Sequence, residues 1–107
     1  MKNLLPITAI ALAACFVTAG ARASDTEAMK KAGCLACHAD DKKIVGPSYK
    51  DVAKKYAGQP DAVAKLMEKV RKGGSGVWGP VPMSPNPADK ISDADLKAAI
   101  DYILNLK

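Results

Sequence analysis

Cys34-Leu35-Ala36-Cys37-His38 places two thiols three positions apart and an imidazole directly after the second. Thiols at this spacing have several uses. A thioredoxin-like redox pair wants a βαβ setting, and no strand pattern surrounds these residues. A plain disulfide leaves His38, the only histidine of the chain, without a role. A zinc site lacks ligands, because the chain holds three cysteines and one histidine in all. C-x-x-C-H is the attachment pattern of a c-type haem. Its two thiols add to the two vinyl groups on one edge of a porphyrin, and the adjacent imidazole reaches the iron. One haem c, covalent through Cys34 and Cys37 with His38 as a ligand, is therefore the expected cofactor.

Upstream, Met1-Lys2-Asn3 is a short basic start, and Leu4 to Thr18 is apolar and uncharged. Ala21-Arg22-Ala23 follows with a small-x-small pattern. Together they read as a secretory signal peptide over 1–23, with a mature domain over 24–107. As a membrane anchor the apolar run is short, since a spanning helix needs about 20 such residues. Leu12-Ala13-Ala14-Cys15 resembles a lipobox, but cleavage there would leave Ala21-Arg22-Ala23 without a use. Export agrees with the haem motif, because attachment of this type takes place outside the bacterial cytoplasm. The expected location is periplasmic.

The whole chain has 107 residues, 25% charged and 49% hydrophobic, with a formal charge of +5. That is one small domain, neither a disordered tail nor a membrane bundle. Large barrel enzymes and dense disulfide scaffolds are excluded. Loss of 1–23 removes Lys2 and Arg22 and no acid, which lowers the charge from +5 to +3. It also removes the only phenylalanine, leaving Tyr49, Tyr56, Trp78 and Tyr102 as the aromatic residues. So short a domain has a thin core and often needs a staple or a cofactor.

Downstream the pattern is helical. Thr26 to Lys31 suits a short helix stopped by Gly33. Residues 39–47 are polar, end in Gly46-Pro47 and read as a loop. Ser48 with Asp51 fits a capping box for a helix reaching Tyr56. After Pro60, Val63, Leu66, Met67 and Val70 share one helical face, and Gly73-Gly74 ends it. Eight prolines and glycines lie between 73 and 91, so no regular element is expected there. Loops this long in small domains are usually functional. Ser92 and Asp95 form a second capping box, with Ile91 and Leu96 as a hydrophobic staple. Leu96, Ala99, Ile100 and Ile103 then mark one face to the C-terminus. The predicted fold is all-α, about four helices around one haem.

The sixth iron position decides function, because an open site permits ligand chemistry and a thioether favours electron transfer. The thioether candidates are Met29, Met67 and Met83. Met29 precedes Cys34 by five residues and is poorly placed for the far face of the ring. Met67 belongs to an apolar helical face. Met83 stands in Val81-Pro82-Met83-Ser84-Pro85, where flanking prolines restrict the backbone before any ligand binds. Lysine could ligate only at high pH, after losing its proton. Met83 is the predicted second axial ligand.

Cys34-Leu35-Ala36-Cys37-His38, Ile44-Val45-Gly46-Pro47 and Gly76-Val77-Trp78-Gly79-Pro80-Val81-Pro82-Met83, with their spacing and the C-terminal helix, resemble the small bacterial class I cytochromes c of the c-551 type. The resemblance covers residues 24–107. It implies the class I fold and His38 and Met83 as axial ligands. It further implies that the Pro47 carbonyl accepts the His38 N–H, that Trp78 offers its indole N–H to a haem propionate, and that Asn86 hydrogen-bonds near the Met83 sulfur. Trp78 as simple core and Asn86 as a turn residue are the plain alternatives. The Pro85-Asn86-Pro87-Ala88-Asp89-Lys90 stretch departs from the pattern like an insertion. The implied activity is electron transport in a respiratory chain, to a terminal reductase or oxidase such as a haem nitrite reductase. It is not enzymatic. A haem enzyme or gas sensor with an open distal site is the alternative.

Lys42, Lys43, Lys50, Lys54, Lys55, Lys65, Lys69, Arg71 and Lys72 read mostly as exposed solubilising residues. They would also steer the protein to an acidic redox partner. Periplasmic redox proteins are the expected partners; nucleic acid is not, and a monomer is expected.

Overall fold

The computed structural model describes residues 23–107. The expected signal segment and Cys15 lie outside the described residues, apart from Ala23. Four helices follow in order: α1 Ala23–Lys31, α2 Tyr49–Tyr56, α3 Ala62–Lys72 and α4 Asp93–Leu104. A 3₁₀ turn, Cys34–Ala36, stands between α1 and α2. No strand forms among the described residues; two isolated bridges, His38 with Lys43 and Gly74 with Met83, are the extended pairings. The chain is all-α, as predicted.

Local chemistry sets the boundaries. Ser48 caps α2 by accepting the Asp51 N–H at 3.1 Å, and Ser92 caps α4 through the Asp95 N–H at 3.2 Å. Each bond satisfies a helix-end donor that has no partner within the helix. Gly73 ends α3 at φ 66, a conformation that favours a residue without a Cβ. Lys69, Arg71 and Lys72 occupy the last turn of α3, where the exposed carbonyls favour positive charge. Two boundaries differ from expectation. α1 begins at Ala23 rather than Thr26, since Ala23, Ser24 and Asp25 include no glycine or proline to bar a further helical turn. α4 stops at Leu104, because the Asn105 side-chain amide donates to the Asp101 carbonyl at 2.7 Å.

The C-terminal helix α4 packs against α1, α2 and α3. Val52, Leu66, Ile91, Leu96 and Ile100 form the main core, with Met67, Val63 and Val70 against it. Full burial of such side chains is worth about 1.5–3 kcal/mol each. The staple pair Ile91 and Leu96 are both in this cluster, which fixes where the long loop enters α4. A second cluster joins Met29 of α1, Tyr49 of α2 and Ala99 of α4, with Cys34 and Tyr102 packed on it. Met29 is 1% exposed and packs within this cluster.

Candidate functional site

The C-x-x-C-H segment is shaped by its own backbone. Gly33 turns the chain at φ 83 after α1. The Cys37 and His38 N–H groups both donate to the Cys34 carbonyl, at 3.2 and 3.0 Å. The two thiols thus sit one tight turn apart, with His38 leaving that turn. Cys34 is half-buried, Cys37 is exposed, and neither is in a disulfide. Burial raises the Cys34 thiol pKa above its ordinary value.

His38 is held from three sides. Its Nδ1 lies 2.8 Å from the Pro47 carbonyl. A carbonyl only accepts, so Nδ1 carries the proton and Nε2 keeps a free lone pair. Tyr49 stacks on the ring with centroids 5.1 Å apart and planes 16° from parallel. Gly46 lies against the other atoms, and a Cβ there would run into the ring. Tyr49 and Lys50 N–H groups donate to the Ala39 and Asp40 carbonyls, both at 2.9 Å, so the start of α2 is tied to the chain directly after His38. Burial holds the Tyr49 phenol well above its usual range, which keeps it neutral beside the imidazole.

The 73–91 loop carries Met83. Gly74 and Met83 exchange both backbone hydrogen bonds at 2.9 Å. The Met83 carbonyl lies against the face of Gly73 that a Cβ would occupy. Gly76 N–H donates to Gly79 O at 2.8 Å and tightens the tip. Met83 is therefore held to the C-terminal end of α3 by direct backbone contacts.

A cavity of about 740 Å³ opens between these parts. Cys34, Cys37, His38, Pro47, Trp78, Met83 and Asn86 all line it. All seven residues singled out in the sequence are thus brought together. The volume is that of a cofactor site rather than a packing defect, and its wall is largely apolar. A planar apolar group with two thiol-reactive edge positions and a metal fits this donor set: two thiols on one turn, one oriented imidazole and one thioether.

Asn86 and Trp78 differ in burial and in partners. Asn86 is buried, but its amide donates to Ser84 O at 3.0 Å and Val70 O at 3.3 Å. Both N–H bonds of that amide are taken by carbonyls, and no hydrogen bond from it to the Met83 sulfur is found among the described residues. Its backbone N–H also donates to Val70 O, at 3.0 Å. The loop fold saturates Asn86 locally. Trp78 is 40% exposed, so it is wall and not core, and the Lys55 ammonium lies 5.3 Å from its ring centroid.

Arg71 is not the solvated residue its neighbours suggest. Its side chain is 21% exposed. Nη1 donates to Asn86 O at 3.0 Å and to Ile91 O at 2.7 Å, and Nη2 meets Asp93 Oδ1 at 2.6 Å. Tyr49 is the other residue the sequence hides, because its position after a capping serine carries no mark of a stacking role. The remaining lysines of the group are exposed, except Lys50 and Lys69, which are half-buried.

Against known proteins, the cytochrome c family model matches residues 20–107. The chain belongs to the cytochrome c family. It is 52% identical to cytochrome c2 of Rubrivivax gelatinosus over 82 residues, 77% of this chain and 96% of that one. It is 45% identical to cytochrome c-552 of Hydrogenobacter thermophilus across the full length of both. The crystal structure of Nitrosomonas europaea cytochrome c552 superimposes with a TM-score of 0.70 at 50% identity, covering 77% of this chain and 99% of that chain. This cytochrome is a small class I protein with one covalently attached haem c, and its family is one of electron-transfer proteins. No helix among its described residues is long and apolar enough to cross a membrane.

Proposed function

We propose that this cytochrome is a soluble periplasmic single-electron carrier, with Cys34 and Cys37 as the thioether anchors and His38 and Met83 as the axial ligands. One observation carries the reading: a single cavity has on its wall an imidazole with a free Nε2 and a thioether on a clamped backbone. The bound haem supplies a one-electron couple, and a thioether opposite an imidazole raises its potential. Pro47 orients His38, Tyr49 and Gly46 keep the ring from rotating, and Gly73 and Gly74 hold Met83 in place. With both positions occupied by protein no site is left open for substrate, and rigid ligands keep the rearrangement on electron transfer small. Trp78, half-exposed on the wall, is the donor suited to a propionate.

The visible spectrum of the ferric protein tests this. A weak sulfur-to-iron band at the red edge is expected, and its loss in Met83→Ala. Absence of the band in the unmodified protein, with ready binding of carbon monoxide to the reduced form, would instead support a haem enzyme or gas sensor.

The electron is proposed to leave at the haem edge beside the two thioethers. Leu35, between the cysteines, and Ile44 and Val45 are all exposed. Lys42 and Lys43 lie beside them in the chain and are exposed too. An acidic periplasmic redox protein, such as a terminal reductase or oxidase, is the matching partner. Lys42→Glu/Lys43→Glu should slow reduction of that partner and flatten its salt dependence; unchanged rates and salt dependence would refute this route.

A further inference from the structure

The 86–91 segment, which overlaps the insertion-like 85–90 stretch of the sequence, is closed at its base by one side chain. Asn86 and Ile91 are the two ends of that segment, and both carbonyls accept from the same nitrogen of Arg71, at 3.0 and 2.7 Å. The second nitrogen of the guanidinium holds Asp93, the first residue of α4, at 2.6 Å. Between those ends the chain folds on itself, with the Lys90 N–H donating to Pro87 O at 2.9 Å. Val70, beside Arg71 on α3, accepts both the backbone and the side-chain N–H of Asn86. The loop that carries Met83 therefore has two fastenings on α3. Gly73 and Gly74 hold Met83 itself, and Arg71 with Val70 holds the exit three residues later.

We infer that Arg71 is a positioning residue for Met83, keeping its sulfur seated on the iron by fixing the exit of the loop to α3 and α4. The inference rests on Met83 being the axial ligand. Only a guanidinium suits the task. It presents several donors in one rigid plane, whereas an ammonium is a point charge on a flexible stem. Its bonds are charge-assisted, stronger than neutral ones, and here three-quarters shielded from water. Without them the two carbonyls lose this donor, and the exit is held to α3 only by the two Asn86–Val70 bonds. Met83 then keeps its backbone pair with Gly74, but the side-chain link that ties the loop exit to α4 is gone.

The test is cyanide binding to the ferric holoprotein. At saturating cyanide the observed rate reports how often Met83 leaves the iron. Arg71→Gln should raise that limiting rate about tenfold or more, the scale of a lost charge-assisted hydrogen bond. Helix content by circular dichroism at 25 °C should be retained. Arg71→Lys, which keeps charge and stem, should give a smaller rise and serves if the glutamine variant does not accumulate. Lys72→Gln is the control for charge; that exposed lysine pairs only with Glu68 among the described residues, and its rate should equal that of the unmodified protein. Unchanged limiting rates in the Arg71 variants, or an equal rise in Lys72→Gln, would overturn the inference. The sulfur-to-iron band of the unmodified protein separates the two readings. If it is absent, Met83 ligation fails first; if it is present and the rates do not move, only the role of Arg71 fails.

Discussion

Gly46 and Gly73 do the same job for His38 and Met83, the two residues proposed as axial ligands, and neither does it by flexibility alone. A Cβ at Gly46 would stand 2.9 Å from both nitrogens of the His38 ring and closer to Cε1. A Cβ at Gly73 would meet the Met83 carbonyl and the Ser84–Pro85 backbone, and at φ 66 the residue would also be strained. Alanine at either site must push the His38 ring or the loop that carries Met83. Overpacking of this kind costs about 1–3 kcal/mol. Gly46→Ala is expected to lower the thermal midpoint of the holoprotein while leaving the sulfur-to-iron band in place. Gly73→Ala should lower the midpoint and also weaken that band, since its clash is on the Met83 side. Differential scanning calorimetry with visible spectra on both variants checks the pair. His38 and Met83 are legible in the sequence because motif and flanking prolines mark them. Tyr49, Arg71 and the carbonyl partners of Asn86 are not. A stacked tyrosine, a guanidinium between two carbonyls and a saturated amide all depend on distances across the fold, and no spacing along the chain encodes them.

Among the elements, α4 is the one on which the others assemble, and on the His38 side a polar pair adds to the packing of Ala99 with Tyr49. Tyr102 donates its phenol to Asp40 at 2.9 Å across 62 residues of sequence. That hydrogen bond, with some burial, raises the Tyr102 pKa. The neutral phenol is the form that binds, so the folded state holds the proton more tightly than the unfolded state does. The contribution is complete below the unfolded value, about pH 10. It is lost as pH rises from there through the folded pKa. Tyr102→Phe should cost about 1 kcal/mol at pH 7 and make the fall in stability above pH 10 shallower than in the unmodified protein. Guanidinium unfolding of the ferric holoprotein from pH 7 to 11 measures both. An equally steep alkaline limb in the variant would show that another group is responsible. The four helices themselves were readable, because caps and apolar periodicity are local signals. Where α1 begins and α4 ends was less so, since several residue types at each end satisfy the same rule.

For the whole molecule the question is what the polypeptide can hold together alone. The buried apolar residues of the described chain number ten, and three of them are alanine. Around them stands a cavity of about 740 Å³, walled by residues from every helix. The cavity opens to the surface and its wall is largely apolar, so with nothing to fill it water would lie against core side chains whose burial is worth about 1.5–3 kcal/mol each. Without its cofactor the chain must therefore collapse inward or admit water against Val52, Leu66 and Ile100, which both line the cavity and form the main core. Either course breaks the packing of α4 on its neighbours. Cys34→Ala/Cys37→Ala, which removes covalent attachment, should accordingly show reduced helix content and a broad, non-cooperative thermal transition by far-UV circular dichroism. Non-covalent haem added to that variant should restore much of the helix signal, because ligand binding to the folded state alone draws the equilibrium toward it. A sharp transition at full helix content in the haem-free variant would mean that the helices pack without the porphyrin, and that the cavity is a consequence of the fold and not its organising volume.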